Sequence, residues 1–210
     1  MKGEILAALY SYGSCRKAKE LEIFELVVKI LNADGEDLLL KLRAALQQLN
    51  PYPHYLQIAQ KTGISDPFAM EVIRAYWTGN HLLEAFSSPE VPHHNFAILK
   101  DAEVFSAHYG WGVIIINLNL CRISFGKIKR KSASGDLVLE TNLFVYRNGK
   151  LSLGETQEIR VKKGLLAKAR ADDIVAFHWG EAREVITESQ AEWLKKIDTA
   201  LLDYLNQRGN

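Results

Sequence analysis

Apolar residues recur at three- and four-residue steps through the first 90 positions, then fall into short β-branched and aromatic runs. Ile5, Leu6 and Leu9 suggest a short opening helix. Leu21, Phe24, Val27, Val28 and Leu31, with charged residues between them, predict an amphipathic helix from roughly Arg16 to Leu31. Asp34-Gly35 breaks it, and Leu38, Leu39, Leu42, Leu46 and Leu49 make the next stripe. Asn50-Pro51-Tyr52-Pro53 ends that stripe, because a residue before proline avoids the helical region. Pro53 suits the first turn of a helix over His54–Lys61, with Gly63 as its stop. Asp66-Pro67 predicts an N-cap followed by proline, opening a helix through Met70, Ile73 and Trp77 to Gly79-Asn80.

Ser87 to Pro92 is polar and proline-bearing, the expected hinge. Beyond it, Phe96–Leu99, Val113–Leu118, Cys121–Ile128, Leu137–Leu139, Leu143–Tyr146, Leu151–Leu153, Glu158–Val161 and Ile174–Trp179 read as strands. Asn148-Gly149 between two of them is a two-residue hairpin signal. Short strands at close spacing predict a small antiparallel barrel. Thr187, with Gln190 three residues on, forms a capping box for a last helix. That helix buries Trp193, Leu194, Ile197, Leu201, Tyr204 and Leu205 and ends before Gly209. The expected fold is α+β: a helical domain over 1–90, a β-barrel over 91–186, and a C-terminal helix over 187–210 packed on the barrel or the helical domain.

The balance of 26 Lys+Arg against 25 Asp+Glu leaves +1 and argues against nucleic acid or an anionic membrane as partner. Lys127, Lys129, Arg130 and Lys131 cluster locally but precede Ser132–Asp136, which reads as a solvated hairpin tip. The longest apolar run, Val113–Ile116, is too short to span a bilayer, and no secretory signal opens the chain. Cys15 and Cys121 are the only cysteines, which suits a reducing, cytoplasmic compartment. A dinucleotide fingerprint, a phosphate loop and a serine-nucleophile elbow are all missing.

The candidate chemistry is a thiol and an imidazole. Cys121 and His178 each sit on an expected strand, and a thiolate with a neutral imidazole suits borderline and soft metals, iron included. Two ligands leave coordination positions open, which fits a protein that holds a metal fragment and passes it on. Taken singly, each is more often a buried structural residue. A second candidate site gathers His93, His94, His108, Tyr109, Trp111 and Trp179 near the hinge and the glycine-flanked turn. His93 and His94 are neighbours on an extended chain, so one at most faces a given metal. Cys15 precedes a helix, where a cap role outweighs reactivity, and Trp77 and Trp193 fit core stripes.

Asp66-Pro67-Phe68, Ala75-Tyr76-Trp77-Thr78-Gly79-Asn80 and His93-His94-Asn95-Phe96 resemble landmarks of an uncharacterised prokaryotic family, some of whose members are encoded near nickel-iron hydrogenases. From about 121 onward the chain resembles the OB-like HypC/HybG/HupF-type chaperones of nickel-iron hydrogenase maturation. Cys121, Gly126, Lys127 and Ile128 match their first strand, and Asp173, Val175, His178 and Gly180 a later one. Ala182, Glu184 and Ile186 continue the match into the last helix. The chain departs at Phe125, which replaces a proline, at Trp179, which replaces a small residue, and in placing Cys121 internally instead of at a mature N-terminus. The resemblance implies that Cys121 and His178 hold iron carrying cyanide and carbon monoxide, and that the partners are other maturation proteins or a hydrogenase large subunit. Two other readings stay open. One is an enzyme with a pocket between the halves built from His93, His94, Tyr109 and His178. The other is an interaction module without chemistry, a homodimer among its forms.

Overall fold

The computed structural model describes residues 3–11, 17–32, 36–87, 90–98, 110–164, 166 and 169–208. Asp34-Gly35, Leu99, His108, Tyr109, Cys15 and Gly209, all used above, lie outside them. The chain divides into two units, Met1–Ser87 and Ser88–Asn210.

In the first unit the three- and four-residue spacing becomes helix: α1 Gly3–Ser11, α2 Lys17–Asn32, α3 Glu36–Leu46, α4 Tyr52–Thr62, α5 Met70–Trp77 and a 3-10 turn at His81–Ala85. Gly63, at φ 73°, caps α4 as its left-handed stop. The core is aromatic. Tyr10 stacks on Trp77 at 5.1 Å, and the Trp77 indole Nε1 donates to the Tyr55 hydroxyl at 2.7 Å. Burial pushes the Tyr55 phenol well above its ordinary range. Asp66-Pro67 does not open α5, which starts at Met70 behind Ala69. Asp66 instead accepts from the Phe68 amide at 2.9 Å and pairs with Arg43, so its short side chain is spent on a turn.

The second unit departs further from expectation. Phe96–Leu99 and Val113–Leu118 are not strands. Their residues lie in α6 His94–Ala97 and α7 Trp111–Cys121, apart from Ile98 beyond the end of α6 and the undescribed Leu99. A continuous apolar run lacks the alternation that separates strand from helix, and eleven residues is helix length. Cys121 therefore closes a helix.

The strands are β1 Ser124–Lys131, β2 Leu137–Arg147, β3 Lys150–Val161, β4 Ile174–His178 and β5 Glu181–Ile186. The four short segments expected between 137 and 161 are two long strands, and β5 was not expected as a strand. The ladders run antiparallel in the order β3-β2-β1-β4-β5. Asn148 (φ 52°) and Gly149 (φ 78°) make the expected two-residue hairpin turn. The α+β class is found, with an antiparallel sheet that is open among the described residues. Among the described residues its edge strands meet only at a parallel bridge between Lys162 and Glu181, where Lys162 N–H donates to Gly180 at 2.8 Å and Ala182 N–H to Lys162 at 2.9 Å. All five strands still feed one core: Ile128, Leu137, Leu139, Val161, Val175, Phe177 and Ala182, with Ala169 and Leu166 against it.

The basic cluster lies on β1 itself. Lys127 pairs with Asp172 at 2.8 Å, Lys129 with Glu140 at 3.6 Å and Arg130 with Glu158 at 2.7 Å. The last helix, α8 Glu188–Arg208, starts at the expected capping box, with Thr187 Oγ1 accepting from Gln190 N–H at 3.2 Å and Gln190 Oε1 from Thr187 N–H at 3.0 Å. It packs on β1, β3, β4 and α6 through Leu194, Ile197, Leu201 and Leu205. Trp193 is half-buried under the Lys196 ammonium at 4.7 Å.

Three asparagines tie these helices to the sheet, or to the residue before β1, in one way. An amide side chain carries a donor and an acceptor, so it can replace a strand neighbour. Asn119 of α7 holds Phe144 through both backbone groups at 2.8 and 2.9 Å, Asn206 of α8 holds Leu151 at 2.9 and 2.8 Å, and Asn95 of α6 holds Ile123 at 2.7 and 3.0 Å. Asn119→Ala strands the amide and carbonyl of the buried Phe144 and should cost about 2–4 kcal/mol, each orphaned group contributing about 1–3 kcal/mol. Urea unfolding of the variant against the wild type measures it.

Candidate metal centre

Cys121 ends α7, and the turn after β4 lies beside it. Trp179 N–H donates to the Leu120 carbonyl at 2.8 Å, so a backbone bond joins the residue before the thiol to the residue after His178. Val175 and Phe177 face the sheet core, and alternation along β4 turns His178 to the other face. A third residue joins them. His94, first in α6, places Nε2 2.9 Å from the Cys121 carbonyl, and its ring meets that of His178 edge-on at 4.9 Å and 78°. His94, Cys121 and His178 each offer one ligand atom, and these atoms lie within 4.8 Å of one another.

The chemistry of the trio is consistent. A carbonyl only accepts, so His94 Nε2 is the donor in this contact and Nδ1 is the nitrogen that a metal would use. Metal-bound imidazoles hold their second N–H in this way, commonly on a backbone carbonyl. A tetrahedral ion with bonds of about 2.0–2.3 Å sets its ligands roughly 3.4–3.7 Å apart, so closure needs a contraction on the order of 1 Å. Both imidazoles are buried and Cys121 is half-buried, which leaves the thiol side as the approach.

Thus the structure brings Cys121 and His178 together and adds His94 from the second group. Of the rest of that group, His93, Trp111 and Trp179 are described, and His93 is not among the converging ligands. His93 caps α6, its Nδ1 accepting from Asn95 N–H at 3.0 Å. Trp111 begins α7, about 15 Å along the helix axis from Cys121 at 1.5 Å per residue, and lies against Tyr146 at 6.3 Å. Trp179 is in a turn, not a strand, at φ 52° with Gly180 at φ 69°. A bulky residue there is a backbone outlier. Its indole is 6.3 Å from the His178 ring, and its Nε1 is buried with no hydrogen-bond partner among the described residues.

Several matched motif residues have structural duties. A Cβ on Gly126 would stand 2.9 Å from the Glu140 carbonyl oxygen, so the glycine lets β1 approach β2. Asp173 Oδ2 accepts from Arg170 N–H at 2.8 Å. The turn accounts for Gly180.

Sequence reasoning missed the buried polar network behind the site. Asn95 Nδ2 also donates to Asp198 Oδ1 at 3.2 Å, and Asp198 pairs with Arg122. Arg122 donates to the Asn142 carbonyl at 2.8 Å and lies over the Phe144 ring at 4.1 Å. Burial pushes the Asp198 carboxyl above its ordinary range against the pull of Arg122 and Asn95. The available signal was a lone aspartate inside the apolar stripe of α8.

No curated protein and no solved structure matches the chain. One family matches, over residues 29–111 and 81–210, and it covers most of the sequence. The chain belongs to that family, described as a family of unknown function, DUF6390.

Proposed function

We propose that the second unit is a metallocentre-assembly module that holds iron on His94, Cys121 and His178 and hands it to an acceptor protein. The observation that carries this is the convergence of two imidazoles and one thiol, from three separate elements, within 4.8 Å. Three protein ligands leave a coordination position for a cargo ligand or for the acceptor. The internal Cys121 offers no terminal amine, and His94 supplies a third donor instead.

Two further features support the reading. Five antiparallel strands in the order β3-β2-β1-β4-β5, with a parallel bridge between the edges, follow the partly open barrel of OB folds. The motif similarity to hydrogenase maturation chaperones runs through the strand bearing His178, which favours maturation proteins or a hydrogenase large subunit as partners and a cytoplasmic setting. No helix among the described residues is long and apolar enough to cross a membrane.

Anaerobic purification with iron analysis tests the proposal. Wild type co-expressed with maturation proteins should retain close to one iron per chain, and Cys121→Ala and His178→Ala should lose it. Iron-free wild type, or equal iron in all three, would contradict the reading.

A further inference from the structure

Two of the three ligands are each followed by a residue of one buried polar network: Asn95 follows His94, and Arg122 follows Cys121. Both side chains converge on Asp198 of α8, which lies 103 residues from Asn95 and 76 from Arg122. Asn95 also grips Ile123, two residues past the thiol, through both backbone groups. The Arg122 fork reaches β2 at Asn142. Asp198, Asn95 and Arg122 are all at most 2% exposed.

We infer that Asp198 is the positioning residue of the metal centre, fixing the separation of His94 and Cys121 through Asn95 and Arg122 without touching the metal. This rests on the metal-site reading above. The packing of α8 alone does not require a carboxylate. Ala191, Leu194, Ile197, Leu201 and Leu205 already bury the helix, and Asn206 anchors its far end to Leu151. A buried ion pair adds little net stability over apolar packing, so its fit to this place lies in geometry. Asp198 has two oxygens and uses one on each of the residues that follow a ligand.

Cobalt(II) is the probe, because its visible spectrum reports both a thiolate ligand and the coordination geometry. Wild type should show a thiolate-to-cobalt band and a tetrahedral ligand-field band. Asp198→Asn keeps the shape and loses the charge. It should bind cobalt about 10–100-fold more weakly, the range for losing a group behind a ligand, with a shifted ligand-field band. Asn206→Ala loosens the same helix at its other end and should leave affinity and spectrum unchanged. Arg122→Lys keeps the pair with Asp198 but gives up the bond to Asn142, and should shift the spectrum in the same direction by less. It serves if Asp198→Asn does not fold.

Wild-type affinity and spectrum in both Asp198→Asn and Arg122→Lys would overturn the positioning role while leaving the metal site standing. An effect of Asn206→Ala as large as that of Asp198→Asn would overturn it too, because the cause would then be general loosening. Wild type without a thiolate band would overturn the site and the inference together.

Discussion

Cys121→Ala is expected to abolish the thiolate-to-cobalt band and to weaken metal binding by two to three orders of magnitude. Four-ligand zinc sites bind with about 10–16 kcal/mol, roughly 2.5–4 kcal/mol per ligand. At about 1.4 kcal/mol per factor of ten, one lost ligand is about 60–700-fold. His178→Ala and His94→Ala should fall in the same range. His94 is the more informative, because the chaperone resemblance does not include it. Cys121→Ser keeps the size and loses the soft donor, so it should resemble alanine for a soft metal and not wild type. The ligands bind deprotonated, so metal uptake should release protons, and apparent affinity should fall as pH is lowered. Titration with a pH indicator reads the first and repeated titrations across pH the second. Uptake without proton release would point to ligands other than a thiol and imidazoles.

The second large effect is on stability. Arg122→Ala leaves Asp198 buried and without its ion-pair partner, and should destabilise the second unit by about 3–5 kcal/mol. The replacement also strips the donor from the Asn142 carbonyl and the cation from the Phe144 ring. Arg122→Met combined with Asp198→Leu removes both charges and should recover most of that loss, since apolar replacement of a buried pair is often neutral or better. Denaturant unfolding followed by a signal from the second unit measures both. A small effect of Arg122→Ala would mean that Asp198 is satisfied without the arginine. If Asp198 also positions the ligands, the double variant should be stable and still bind cobalt poorly.

The sequence disclosed the parts of the fold that local chemistry dictates. The capping box at Thr187, the stop at Gly63 and the turn at Asn148-Gly149 each rest on a few neighbouring residues, and each is found. The run from Trp111 to Cys121 misled because an unbroken apolar stretch carries no period. Asn119 ties it to Phe144, a tertiary contact that no local pattern announces. The unexpected β5 had the same cause: its buried Ala182, Arg183 and Glu184 break the alternation of a half-buried strand. The site followed the same divide. Cys121 and His178 were legible by chemical type and motif spacing, while His94 joins them only because α6 lies across the end of α7. A histidine read as belonging to another group carried no mark of that contact.

X-ray absorption at the metal edge of protein loaded with one iron or cobalt per chain addresses the centre itself. The account predicts one sulfur at about 2.3 Å and imidazole scattering from two rings, with the sulfur gone in Cys121→Ala. A first shell of oxygen and nitrogen alone in the wild type, or a sulfur that persists without Cys121, would contradict it.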